Sequence, residues 1–94
     1  MRDRVTDALH TRSPASAATG AFVVLDGVQN IEHPADQVVG LGCAFKNFCD
    51  VLGLDPGEVL RVVERMERDC RYRQVTTLSA VRRYVENELR PKFP

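Results

Sequence analysis

The sequence predicts a mainly α-helical protein, a three-helix bundle preceded by a flexible N-terminal arm. Two observations favour helices. From residue 34 onward, apolar residues recur every three or four positions, the spacing that places them on one side of a helix. Each of these stretches also begins at a capping residue or a proline and ends at a glycine, a charged turn or a proline. A chain of 94 residues makes one domain at most.

The first twenty residues are predicted to form the mobile arm. Residues 1–10 could form a short helix. Residues 11–20, TRSPASAATG, are small, polar and interrupted by Pro14, a composition typical of flexible linkers. We therefore expect an arm at residues 1–20 and a single helical domain at residues 21–94.

Within the predicted helical domain, residues 22–31 could form a short β-hairpin. Within AFVVLDGVQNI, two short apolar runs flank Asp26 and Gly27, a dipeptide that favours tight hairpin turns. Because a lone two-stranded hairpin is marginal in water, it would have to pack on the helices or pair with a second copy. The alternative is an irregular apolar arm that lies across the bundle.

The first predicted helix covers residues 33–53. Pro34 suits the first helical position, and Gly53 suits the left-handed residue that ends a helix. One apolar stripe, expected to pack into the core, consists of Val38, Leu41, Phe45, Phe48 and Leu52.

The same helix carries a second apolar strip, which consists of Val39, Gly40, Cys43 and Val51. A bundle of this size buries one stripe per helix, so the surplus predicts a two-fold homodimer that joins through this strip. The alternative is a monomer in which the N-terminal arm covers the strip.

Two further helices follow. The second is predicted to begin at Asp55, which caps it, with Pro56 in the first helical position. Its buried side consists of Val59, Val62, Val63, Met66 and Cys70. The third helix is predicted to begin at Thr76 or Thr77 and to end at Pro91. Its apolar stripe consists of Leu78, Val81, Val85 and Leu89.

The corner between the first two helices resembles the helix-turn-helix family of DNA-binding proteins. The resemblance covers residues 48–66, FCDVLGLDPGEVLRVVERM, in which Gly53 forms the turn and Leu54 fills it. It implies that the second helix enters the major groove and reads base edges near its N-terminus. The sequence departs from the pattern there, because Asp55 and Glu58 place carboxylates close to where phosphates would lie.

Arginines on the outer helix faces are the predicted partner-binding residues. They are Arg61, Arg65, Arg68, Arg71, Arg73, Arg82 and Arg83. Arginine forms bidentate contacts with carboxylates, which favours an acidic protein partner. The alternative is a solvated helix face on which these arginines pair with Glu58, Glu64 and Glu67 at helical spacing.

No catalytic, cofactor-binding or metal-binding residues are predicted, so we expect a protein that is not an enzyme and uses no cofactor. The two histidines and three cysteines lack metal-ligand spacing. His33 lies beyond hydrogen-bonding reach of Cys43 along a helix. The cysteines are expected to be small buried apolar residues.

The chain is expected to be cytoplasmic. An odd number of cysteines with no close pair favours a reducing compartment. There is no signal-peptide pattern, and the apolar run AFVVL is too short to span a membrane. Thirteen basic residues balance thirteen acidic ones, so any nucleic-acid-binding patch has to be local.

From His33 to Leu89, the order HPADQVVGLGCAF, LGLDPGEVLRVVERM and LSAVRRYVENEL is similar to small all-helical accessory proteins of bacteriophages and prophages. This resemblance implies a non-enzymatic regulator or inhibitor in the bacterial host cytoplasm. Such a protein would bind a host or phage macromolecule, here a protein partner, and its roles would include anti-defence activity. The alternative is a helix-turn-helix transcriptional regulator that binds DNA.

Overall fold

The computed structural model describes the backbone of residues 2–94 and the side chains from Val5 onward. Within this range the chain forms five α-helices and no strand, and 82 % of it is helical. The helices are α1 (Arg2–His10), α2 (Pro14–Gln29), α3 (Pro34–Leu52), α4 (Pro56–Tyr72) and α5 (Thr77–Tyr84), followed by a π-helical turn at Val85–Leu89 and a 3-10 turn at Arg90–Lys92. The all-α prediction is confirmed, but five helices replace the three that were predicted.

Helix α2 replaces most of the predicted linker. Ser13 caps it, since its Oγ accepts a hydrogen bond from the Ser16 N–H at 3.1 Å, and Pro14 occupies the first turn. The prediction of a linker was wrong from Pro14 onward because alanine, which fills this stretch, is the strongest helix former. The helix crosses residue 20 without interruption, and independent motion of residues 1–20 stays a prediction.

The predicted hairpin at residues 22–31 is also replaced by α2, which continues to Gln29. The apolar residues of this helix recur at helical spacing as Ala18, Phe22, Leu25 and Val28. Burial of that face outweighs the local turn preference of the Asp-Gly dipeptide, because tertiary packing commonly overrides such short-range signals.

Three helices begin in the same way, with a side-chain cap followed by proline. In α3, the Nδ1 of His33 accepts a hydrogen bond from the Ala35 N–H at 3.1 Å. In α4, the Oδ1 of Asp55 accepts one from the Gly57 N–H at 2.9 Å. Proline has no N–H to leave unpaired in the first turn, and its fixed φ suits the helix, so these starts are well defined.

Helices α3 and α4 each end at a residue whose backbone has the left-handed conformation. Gly53 has φ 70°, and the Leu54 N–H donates to the Cys49 carbonyl oxygen at 2.9 Å. Helix α4 ends in the same way. Gln74 has φ 59°, and the Val75 N–H donates to the Cys70 carbonyl oxygen at 2.8 Å. Both ends therefore satisfy otherwise unpaired carbonyl groups.

The third predicted helix is α5, but it changes to a π-helical turn at Val85 before reaching Leu89. Pro91 has no N–H, and in an α-helix its ring would clash with the carbonyl group of Asn87. The Arg90 N–H donates to the Val85 carbonyl oxygen instead, the wider spacing of a π turn.

The core consists of two clusters along α2. The first joins α2 to α4 and α5 through Ala18, Cys70 and Leu78. The second joins α2 to the π turn through Leu25, Val28 and Leu89. Between the clusters, the rings of Phe22 and Tyr84 meet edge to face with centroids 5.6 Å apart. Helix α2, placed in the arm and hairpin by the sequence prediction, is thus the central element of the core.

Helix α3 has the predicted bounds, but its apolar stripe is only partly covered, with Phe45 and Leu52 half-buried. Val38 and Phe48 are 61 % and 66 % exposed, and Leu41 is 38 % exposed. The buried residues of α3 are Gln37 and Cys49, near its two ends. The prediction that this stripe packs into a bundle was therefore wrong for Val38, Leu41 and Phe48, because helical spacing indicates which residues share a side but not what covers them.

Candidate partner-binding surface

Three of the predicted arginines share one exposed face of α4. Arg61, Arg65 and Arg68 are spaced by four and three residues, which places them on the same side of the helix. Tyr72 continues this face by one more turn and is 90 % exposed. We call these four residues the arginine face.

Most of the positive charge on the arginine face has no acidic partner close by among the described residues. The Nη2 of Arg61 lies 3.8 Å from the Oδ2 of Asp55, and both side chains are 65 % exposed, so water screens this pair. Among residues 5–94, no carboxylate oxygen lies within 4.0 Å of Arg65 or Arg68. The alternative in which these arginines pair with the glutamates of their own helix is therefore not found.

A groove of about 270 Å³ lies between α4 and the junction of α1 with α2. Its apolar lining consists of Leu9, Pro14, Val62, Met66, Cys70 and Val75. Its polar lining consists of the exposed side chains of His10, Arg12, Arg65, Asp69 and Arg73. Three guanidinium groups and one carboxylate therefore surround an apolar surface, which we call the arginine groove.

The remaining predicted arginines do not join this groove. Arg71 is exposed in the last turn of α4. Arg82 lines a second groove, beside α3, and its Nε lies 3.7 Å from the Oε1 of Glu86. Arg83 is exposed on α5 and lines neither groove. The seven arginines are thus divided among several places, with Arg65 and Arg73 brought together.

Sequence reasoning missed Arg12 and His10 as members of this groove, because both were assigned to a flexible arm. The signal that could have found them is the helix start at Ser13 and Pro14. A helix that begins there reduces residues 11–13 to a tight connection, which holds the end of α1 beside α4.

The predicted dimer strip lies on more than one side of α3. Val39 and Val51 are 68 % and 85 % exposed, and Cys43 is exposed as well. Val51 lies eight residues beyond Cys43, about 80° around the helix at 3.6 residues per turn. A Cβ atom at Gly40 would meet the Cδ1 of Ile31 at 3.9 Å, so this glycine faces the connection from α2. Dimerisation through these four residues stays a prediction.

The cysteines follow the prediction in part. Cys49 and Cys70 are buried, as expected of small apolar residues, but Cys43 is exposed, and all three thiols are free. Among residues 5–94, no group of three or more histidine, cysteine, aspartate or glutamate side chains is placed to hold a metal ion. None of the described helices is both long enough and apolar enough to cross a membrane.

Comparisons with protein-family models, curated proteins and solved structures find no match for this chain. Its function is therefore inferred from the geometry of its own surface.

Proposed function

We propose that the protein is a non-enzymatic regulator or inhibitor of the phage type, which binds a host or phage protein at the arginine groove. The observation that supports this proposal is the placement of Arg12, Arg65 and Arg73 around an apolar surface, with Asp69 as the one acid among the described lining residues. Anti-defence activity is one role that such binding would serve.

The groove suits an acidic segment that carries an apolar side chain. The apolar side chain would contact Val62 and Met66, while neighbouring carboxylates accept hydrogen bonds from the guanidinium groups. Arginines that border a desolvated apolar contact are common hot spots, with truncation costs of about 2 kcal/mol or more. The exposed arginines of the α4 face would add long-range attraction for an acidic partner.

Charge reversal in the groove tests this proposal. Arg65→Glu combined with Arg73→Glu is expected to abolish capture of a specific partner from bacterial lysate and to weaken binding of the purified partner by at least about 30-fold. The matched control is Arg71→Glu combined with Arg83→Glu, which makes the same change in net charge at exposed positions that line neither groove. Equal loss in both double variants, or no loss in the first, would contradict the proposal.

DNA binding is the second candidate, because Arg65 and Arg68 present unpaired guanidinium groups on the exposed face of α4. Against it, the first turn of this helix carries Asp55 and Glu58, whose charges repel phosphates. Gel shifts with genomic fragments between 50 and 200 mM salt separate the candidates. DNA binding predicts an affinity that falls steeply over that range, whereas absence of a shift at the lowest salt removes this candidate.

A further inference from the structure

We infer that the apolar stripe of α3 is the contact surface for a second copy of this chain, paired antiparallel about Phe45. This inference concerns a surface separate from the arginine groove and does not depend on the proposed function. It also moves the predicted dimer contact from the strip around Val39 and Cys43 to the opposite side of the same helix.

The first support is the amount of surface that the single chain leaves open. Its accessible area is 7167 Å² at a mass of 10.5 kDa. A compact monomer of that mass exposes about 5,400 Å². The difference of about 1,700 Å² is roughly twice what one partner contributes to an interface of standard size. The radius of gyration of 14.2 Å also exceeds the roughly 12.4 Å expected for a compact domain of this length.

The second support is the heptad pattern of α3. Positions a and d of successive heptads are Val38, Leu41, Phe45, Phe48 and Leu52. Such a seam is typical of helices that pack along one another, and three of its five residues are exposed. In its own chain the seam is half-buried at Phe45 and Leu52, whereas Val38, Leu41 and Phe48 are exposed.

The third support is charge. The three charged residues of α3, which are Asp36, Lys46 and Asp50, all lie on the side opposite the seam. Lys46 and Asp50 pair with each other at 2.7 Å. The seam is flanked by small residues such as Gly42 and Ala44 instead, so a copy of the same helix meets no like charge and can approach closely.

The fourth support is the symmetry of the seam. Phe45 lies seven residues from Val38 and seven from Leu52, so a two-fold axis at Phe45 pairs each end of the seam with the other. The same arrangement brings Phe48 of the second copy close to Leu41.

Leu41 borders a groove of about 510 Å³, formed by α3 on one side and the C-terminal segment on the other, whose lining is mainly apolar but includes Arg82, Glu86 and Arg90. The C-terminal side of this groove includes Val85, Leu89 and Phe93. The ring of Phe48 from a second copy would enter its apolar part. The Phe48 side chain of one copy and the groove of the other therefore complement each other across a two-fold axis, which is what a self-pairing surface requires.

The test compares two equally exposed positions on one helix. Phe48→Glu introduces a charge on the seam, and Val39→Glu introduces the same charge on the far side; the two native side chains are 66 % and 68 % exposed. Neither change touches the core, so circular dichroism is expected to show both variants folded.

Light scattering coupled to size exclusion is expected to give twice the chain mass for the native protein and for Val39→Glu. Phe48→Glu is expected to weaken association by about 30-fold or more and to elute at the chain mass of 10.5 kDa. A native protein that is monomeric at micromolar concentration would overturn the inference. Dissociation by Val39→Glu but not by Phe48→Glu would overturn it as well, in favour of the other strip. Partner capture by the arginine-groove variants is a separate measurement. Failure of self-association can therefore be distinguished from failure of the proposed partner binding.

Discussion

Gln74 ends α4 with a backbone conformation that suits glycine. Its φ of 59° lies in the left-handed region, and among the described residues it is the one non-glycine residue there. A side chain in this region costs about 1 kcal/mol or more, because its Cβ crowds the backbone. The chain accepts this cost at Gln74, whereas the equivalent end of α3 has Gly53.

Replacement of Gln74 by glycine is therefore expected to raise the free energy of unfolding by roughly 0.5–1 kcal/mol. Chemical denaturation measures the change. Gln74→Ala is the matched control, since it also shortens the side chain but keeps the Cβ, and no comparable gain is expected. Equal stabilisation by both substitutions would show that the backbone conformation is not the cause.

The hydroxyl group of Tyr84 contacts two polar side chains of α2. This group lies 3.0 Å from the Oδ1 of Asp26 and 2.7 Å from the Oε1 of Gln29. Burial raises the pKa of Tyr84 above its ordinary value, and the hydrogen bond to Asp26 raises it further. The folded state thus holds this proton more tightly than the unfolded chain does.

The stabilisation linked to this proton is complete below the unfolded pKa of about 10 and is lost as the pH rises through the higher folded pKa. In a Tyr72→Phe background, where Tyr84 is the remaining tyrosine, phenolate absorbance is expected to appear at higher pH in the folded protein than in denaturant. Asp26→Asn should reduce that difference. Coincident titration curves in the two states would contradict the expectation.

At the scale of the element, helices α3 and α4 could be predicted closely because their signals are local. His33 with Pro34 and Asp55 with Pro56 begin them, and Gly53 ends the first. Helix α2 could not be predicted, because its alanine-rich start matches a linker and its Asp-Gly dipeptide matches a turn. Its helical state depends on packing against residues about sixty positions away.

Gly27 provides a direct test of that helix. A Cβ atom at this position would meet no other atom within 4 Å. In a helix, Gly27→Ala is therefore expected to raise the free energy of unfolding by about 0.5–1 kcal/mol. In a hairpin turn with positive φ the same change would destabilise the protein. Thermal denaturation shows whether the change stabilises or destabilises the protein. A Cβ atom at Gly20 would also meet no atom within 4 Å, so Gly20→Ala is expected to have the same effect.

The candidate site was also predicted in part. Arg65 and Arg73 were identified because charged residues on helix faces are visible in the sequence. Arg12 was not, because its position depends on how α1 packs beside α4. The apolar stripe around Phe48 was predicted to be part of the core, but three of its five residues are exposed. The sequence of a single helix does not show whether its apolar side packs against the same chain or against another one.

At the scale of the whole molecule, the chain is flat, with extents of 40 × 35 × 18 Å, and no side chain among the described residues from Val5 onward is less than 2 % exposed. Such a thin core gives modest stability to one chain. If a second copy covers α3, association contributes to the free energy of unfolding. The thermal midpoint of the native protein is then expected to rise with protein concentration.

The Phe48→Glu variant, as a monomer, should show a lower midpoint that does not depend on concentration. Differential scanning fluorimetry over a hundredfold dilution series measures both. A native midpoint that stays constant over this series would contradict self-association as a source of stability.

The central position of α2 has a consequence for synthesis of the protein. The apolar face of α2 includes Leu25 and Val28, and its cover includes Leu89, about sixty residues later in the chain. At an elongation rate of roughly 20 residues per second or less, this face is synthesised about three seconds or more before its cover. During that interval the apolar face of α2 lacks its cover, and we expect chaperones that recognise apolar segments to be among its first contacts.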